Sequence, residues 1–204
     1  MTLSIWFSLF LISALGAMSP GPSLAVVAKH SLASGRMHGM ITSWSHSLGV
    51  GIHALLGILG LAVVLKQSPT LFTAISYAGA GYLAYLGVNA LRSKGGIAAK
   101  LKAGESTTMI EAARDGLMIS LLNPKLALYF IALFSQFVAL SAELSSRVII
   151  VATPIIVDGL WYTLIAIILS RPKVLEKLRA KAHWIDRVSG VVLILLAMRV
   201  VYMA

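Results

Sequence analysis

The chain has 204 residues, 58% of them hydrophobic, with 17 Lys and Arg against 7 Asp and Glu. Only 12% of residues are charged and the mean hydropathy is +0.90, whereas an ordinary soluble domain is about a quarter charged. Six spans of about 20 residues need about 120 apolar positions, which this composition supplies, so a soluble enzyme, a disordered chain and a receptor with a separate extramembrane domain are excluded.

The net charge of +10 would point to nucleic acid in a soluble protein. In a membrane chain it follows from the bias of Lys and Arg toward cytoplasmic loops, and no nucleic-acid partner is expected. The chain has no cysteine, so disulfides, thiolate metal sites and thiol relays are excluded.

Taken in chain order, residues 1–28, 37–65 and 67–91 carry no Lys, Arg, Asp or Glu. Each run is long enough to cross a bilayer. Residues 116–142 form a fourth run broken only by Lys125, and 148–170 a fifth broken only by Asp158. Residues 188–204, with Arg199, form the sixth and shortest. The first run ends its apolar stretch on small residues, but no Lys or Arg precedes Lys29. It lacks the basic start of a signal peptide and is expected to be a retained helix.

The loops between these runs differ sharply in charge. The first holds Lys29 and Arg36; the third Arg92, Lys94, Lys100, Lys102 and Arg114; the fifth Arg171, Lys173, Lys177, Arg179, Lys181 and Arg187. Of Lys and Arg, the second and fourth hold only Lys66 and Arg147. The positive-inside rule then places the odd loops in the cytoplasm and both termini outside. Leu175, Leu178, Ala182 and Ile185 recur at helical spacing in the fifth loop, which predicts an amphipathic helix on the inner membrane face. Gly95, Gly96 and Gly104 mark the third loop as a flexible linker.

The expected fold is an all-α polytopic membrane protein of six transmembrane helices, forming one transport domain over 1–204. It divides into a repeat over about 1–92, a cytoplasmic linker over about 93–112 and a second repeat over about 113–204. Three spans per half give the halves opposite orientations, the inverted-topology design of many transporters. Ser19-Pro20-Gly21-Pro22 breaks the first span and Asn123-Pro124-Lys125 the fourth. A shift of 104 residues superimposes Pro20 on Pro124, Leu24 on Leu128 and Ala28 on Ala132. Proline lacks an N–H and clashes with the carbonyl four residues back. Groups freed in this way inside lipid need protein or a wet cavity. The half-helices after Pro22 and Pro124 are therefore expected to begin at a cavity, with N-termini suited to a carboxylate; the alternative is that both breaks are plain helix kinks. Ser19 and Asn123 are the expected caps.

Asp158 lies mid-span, where a carboxylate costs several kcal/mol unless paired, protonated or hydrated. It is the candidate for proton carriage or for an ammonium group. The alternative is a structural ion pair with Lys125. His46 and His53 share a helix face; a proton relay and plain backbone hydrogen bonding are both open for His46, and the second is favoured for His53. No metal motif is present and no cofactor is implied. Ser45, Gly49 and Gly57, and then Ser76, Ala80 and Ala84, form small-residue stripes that favour close helix packing, including a possible homodimer face. Asn89, Gln136, Tyr82, Tyr85 and Trp161 are further candidates to line a path. Trp6, Trp44 and Trp184 are expected as interfacial anchors.

The motif Ser19-Pro20-Gly21-Pro22 before a glycine-studded second span resembles the start of the lysine-exporter (LysE/RhtB) family. Asn123-Pro124-Lys125, followed by Tyr129-Phe130 and Gln136-Phe137, is similar to that family's fourth span, and Asp158 falls where its members carry an acidic residue. His183-Trp184-Ile185-Asp186 followed by Gly190 looks like the threonine/homoserine branch, although Asp stands at 158 where that branch is associated with Glu. The resemblance covers essentially the whole chain. It implies a multi-pass bacterial inner-membrane protein that exports amino acids and is driven by protons, with no enzyme activity. Pro20, Gly21, Pro22, Asn123, Pro124, Lys125 and Asp158 are the residues it marks. With Ser19 they form the expected substrate site, and Asp158 with His46 the expected proton-coupling pair. Partners are then the amino acid, protons and membrane lipids. The rival readings are a non-transporting scaffold that uses the basic fifth loop to hold a partner or anionic lipid, and a metal or inorganic-ion exporter using Asp158 and His46.

Overall fold

The computed structural model describes residues 1–19, 21–93, 105–140, 143–169 and 172–203, without the side chains of 140, 172–182, 185, 189 and 203. Among the described residues there are eight α-helices and no strand. They are α1 (Leu3–Met18), α2 (Pro22–Ser34), α3 (Arg36–Gln67), α4 (Pro69–Arg92), α5 (Met109–Leu121), α6 (Pro124–Ser135), α7 (Leu144–Leu169) and α8 (Pro172–Met203), with a 3₁₀ turn at Val138–Leu140.

The two proline motifs break the chain as expected. α1 and α2 meet at 64°, and α5 and α6 at 54°. By length and apolarity α3, α4 and α7 can each cross a membrane, and each bent pair can form one more span. α8 is not among them, because any membrane-length stretch of it takes in Asp186, Arg187 and at least one more charge. The fifth loop and the sixth run are also not separate elements. One 32-residue helix covers both, since nothing between Pro172 and Met203 stops a helix. The amphipathic side chains expected there, and Gly95, Gly96 and Gly104, lie outside the described residues. The second half begins earlier than its charge pattern implies: Thr108 and Glu111 form a reciprocal capping box that starts α5 at Met109, so Arg114 is helical.

Lipid gives apolar helices no hydrophobic reason to associate, so packing rests on small residues and internal polar contacts. A Cβ on Gly116 would strike the Thr42 carbonyl and Ser45 on α3, and one on Gly49 would meet Ser120 at 2.6 Å. Gly57 faces Phe134. The stripe of Ser45, Gly49 and Gly57 is thus the seam of α3 against α5 and α6. Gly87 and Gly190 bring α4 and α8 to backbone contact, a Cβ on Gly190 lying 2.7 Å from the Gly87 carbonyl oxygen. Ser76 and Ala80 are buried in the interior edge of α4. Ser31, Thr42, Ser43, Ser76 and Thr153 return their hydroxyls to carbonyls four residues earlier on their own helices, which satisfies them without water. Leu48, Leu55, Leu56 and Leu59 on α3, and Val188, Val191, Leu195 and Met198 on α8, are exposed.

Candidate functional site

The two breaks and the middle of α7 enclose one polar cavity. α1 ends at Met18, and Ser19 turns the chain into extended backbone. Gly21 is the N-cap residue of α2 and offers no side-chain cap, while Pro22 supplies the first helical position. Ser19 therefore does not cap α2 as its position suggests. It closes α1, and both its oxygens accept from the Lys125 ammonium, the hydroxyl at 2.8 Å and the carbonyl at 3.1 Å. Asn123 does cap α6: its Oδ1 accepts from the Lys125 backbone N–H at 3.0 Å. Gly21 allows the lysine this approach, since a Cβ there would stand 3.3 Å from Nζ. Pro20 lies outside the described residues.

A buried chain of hydrogen bonds runs from the second break to α7. Asn123 donates to the Ser23 hydroxyl at 3.4 Å. Ser23 Oγ and His46 Nε2 are 2.8 Å apart, and His46 Nδ1 lies 2.8 Å from Asp158 Oδ2. Asp158 accepts when ionised, so the Nδ1–H form of His46 satisfies it. Nε2 then accepts from Ser23 when the ring is neutral and donates when it is charged. His46 is 1% exposed and Asp158 5%, so this pair is shut away from bulk solvent. Tyr162 sets its ring edge-on to His46, with centroids 5.3 Å apart. Tyr129 donates to the Ile12 carbonyl at 2.7 Å and fills the space that Gly16 leaves open.

Ser19, Gly21, His46, Asn123, Lys125 and Asp158 all line this cavity, with Ser23, Tyr129 and Tyr162. Its volume is about 30 Å³, room for a water or two and too little for an amino acid. Asp158 and Lys125 both point inward as expected, but the carboxylate meets His46 while the ammonium meets Ser19. His53 makes the backbone contact favoured for it, 3.0 Å from the Ser120 carbonyl.

A second cavity of about 390 Å³ lies on the other side of the breaks, where Pro22 and Pro124 line it with Tyr82 and Asn89. Tyr85 instead is 61% exposed. Trp161 joins Trp6 and Phe10 along an apolar groove between α1 and α7, and Gln136 ends α6. Trp44 packs on Gly159. Among the described residues no three His, Asp or Glu side chains gather as a metal site.

Sequence reasoning missed Ser23, Tyr162 and an ion-pair cluster at the loop end of α2. Lys29 Nζ and His30 Nε2 each lie 3.0 Å from Asp115 Oδ2 on α5, and His30 Nδ1 lies 2.8 Å from the Thr107 hydroxyl. Ser23 was findable, as the first polar side chain after the break; the cluster was not, since its members lie about 85 residues apart.

The family model described as LysE type translocator matches residues 14–204. The threonine efflux protein of Salmonella typhi is 29% identical over 194 residues, covering 92% of this chain and 93% of that protein. The threonine efflux protein of Escherichia coli strain K12 is 27% identical over the same shares. An uncharacterised membrane protein of Pseudomonas aeruginosa is 39% identical over 126 residues, 58% of this chain and 57% of its own. No solved structure matches. The chain, multi-pass and helical, belongs to the LysE type translocator family of membrane transporters.

Proposed function

We propose that the protein exports a small neutral amino acid of the threonine type by alternating access, in exchange for protons. The observation that carries this reading is the cavity lined by Lys125, by residues of the first turn of α2 and by the His46–Asp158 pair. It brings one cationic and one carboxylate side chain to the same space, as a zwitterion requires. The substrate carboxylate is received by Lys125 and the uncapped first turn of α2. Its ammonium is received by Asp158. A proton arriving from outside on the His46–Asp158 pair removes the negative charge, weakens the hold on the ammonium and releases the substrate outward. Return of the empty carrier delivers that proton inward. The cycle works only because substrate and proton favour different states.

The closed size of the cavity supports a moving cycle, since the helices must part to admit an amino acid. Two opposed three-span halves are supported by the proline breaks in α1–α2 and α5–α6 and by the way the halves interlock, α3 packing on α7 and α4 on α8. In this reading α8 is the sixth span, supported by its exposed apolar stripe, and both termini are outside. Among the described residues no three His, Asp or Glu side chains gather to support the ion-exporter reading, and the scaffold reading leaves the buried His46–Asp158 pair without a purpose.

The test is uptake of labelled threonine, homoserine, leucine and lysine into inside-out vesicles, with and without a proton gradient. Gradient-driven accumulation of a neutral substrate is expected, and Asp158→Asn is expected to abolish it. Intact gradient-driven, pH-dependent uptake in Asp158→Asn would sink the coupling scheme.

A further inference from the structure

The larger cavity holds a second buried carboxylate. Ser19, Gly21, Asn123 and Lys125 belong to both cavities, so the residues of the two breaks form a wall between them. On the far side of that wall, among the last turn of α4 and the middle of α8, lies Asp186. It is 2% exposed. The Ser93 hydroxyl donates to its Oδ2 at 2.6 Å. A carboxylate at this depth is costly unless it is partnered, and Asp186 faces a cavity of about 390 Å³, within the range of small-molecule sites.

We propose that this cavity is an entry site for the amino-acid zwitterion, with Asp186 binding the ammonium while Lys125 and the uncapped first turn of α2 hold the carboxylate. Because Lys125 stands in the wall, the substrate passes inward by pivoting on it. Its carboxylate stays in place and its ammonium changes partner from Asp186 to Asp158. Ser93 orients Asp186 as a positioning residue. The cavity lies beside the last turn of α4, next to Asn89, Ala90 and Ser93, so the proposal places its entrance on the face that bears the third loop. This inference deepens the exporter reading and rests on it.

The experiment measures the KM for labelled threonine from each face of sealed vesicles, with the 2-hydroxy analogue of threonine, which lacks the ammonium, as competitor. For the unmodified protein the analogue is expected to compete about tenfold or more weakly than threonine. Asp186→Asn is expected to raise KM about tenfold from the face bearing the third loop and to erase most of that preference. Asp186→Glu restores the preference. Ser93→Ala keeps the charge and raises KM less. An unchanged KM and preference in Asp186→Asn overturns the inference, as does a defect seen only from the opposite face. If Asp186→Asn does not reach the membrane, an unchanged KM in Ser93→Ala overturns it. Failure of the unmodified protein to move any amino acid removes the exporter reading first and this inference with it.

Discussion

At the scale of single residues, the proposed proton coupling rests on the pairing of His46 with Asp158. A carboxylate alone in a sealed cavity is held by whatever charge is nearest. Here the carboxylate has an imidazole at 2.8 Å, a group able to hold a proton beside it. His46→Gln keeps a hydrogen-bond donor beside Asp158 but removes the imidazole ring. It is expected to lower the rate of gradient-driven transport about tenfold or more and to change how that transport depends on pH; an unaltered profile would exclude the ring from the proton path. Asp158 and Lys125 were legible in the sequence because a charge inside an apolar run is conspicuous. Which partner each one takes was not. His46 and Asp158 are 112 residues apart, and only the packing of α3 on α7 joins them. Ser19 shows a similar limit, since a serine before proline reads as a cap for the next helix whereas here it ends the preceding one and receives Lys125.

At the scale of elements, the breaks were legible and the ends of α8 and α5 were not. Proline leaves a local signature that no tertiary contact can erase. A run of charges does not end a helix; it only changes what surrounds it, so the change from basic loop to apolar run near Val188 marks no boundary in α8. The contact of α4 with α8 is the place where element packing has least tolerance. Gly190→Ala puts a methyl group against the Gly87 carbonyl and the Leu91 backbone and is expected to destabilise the protein by about 1–3 kcal/mol, read as a lower melting temperature in detergent. Gly60→Ala meets nothing within 4 Å. It is expected to leave that temperature unchanged or raise it, by up to about 1 kcal/mol of helix propensity. Equal melting of the two variants would mean that α4 and α8 are not tightly docked.

At the scale of the whole molecule, the proposed alternating-access cycle has the two ends open in turn. The α2 and α5 half-helices are tied at one end by Lys29, His30 and Asp115, and by the Thr107 N–H donating to Ser34 Oγ at 3.0 Å. The chain contains no cysteine, so Ser34→Cys with Thr107→Cys gives a single defined pair. Its oxidation is expected to stop turnover and its reduction to restore it. Full transport by the cross-linked protein would mean that these half-helices travel as one body. The two cavities also differ in what they ask of the solvent. The inner one, at about 30 Å³, is nearly dry; opened to the size of its neighbour it draws in on the order of ten water molecules. Transport is then a hydration event as well as a movement of helices. A polymer too large to enter the cavities, added on both sides of the membrane, withdraws water from the open state, so turnover should fall steadily with osmotic pressure while substrate and proton gradients are held constant.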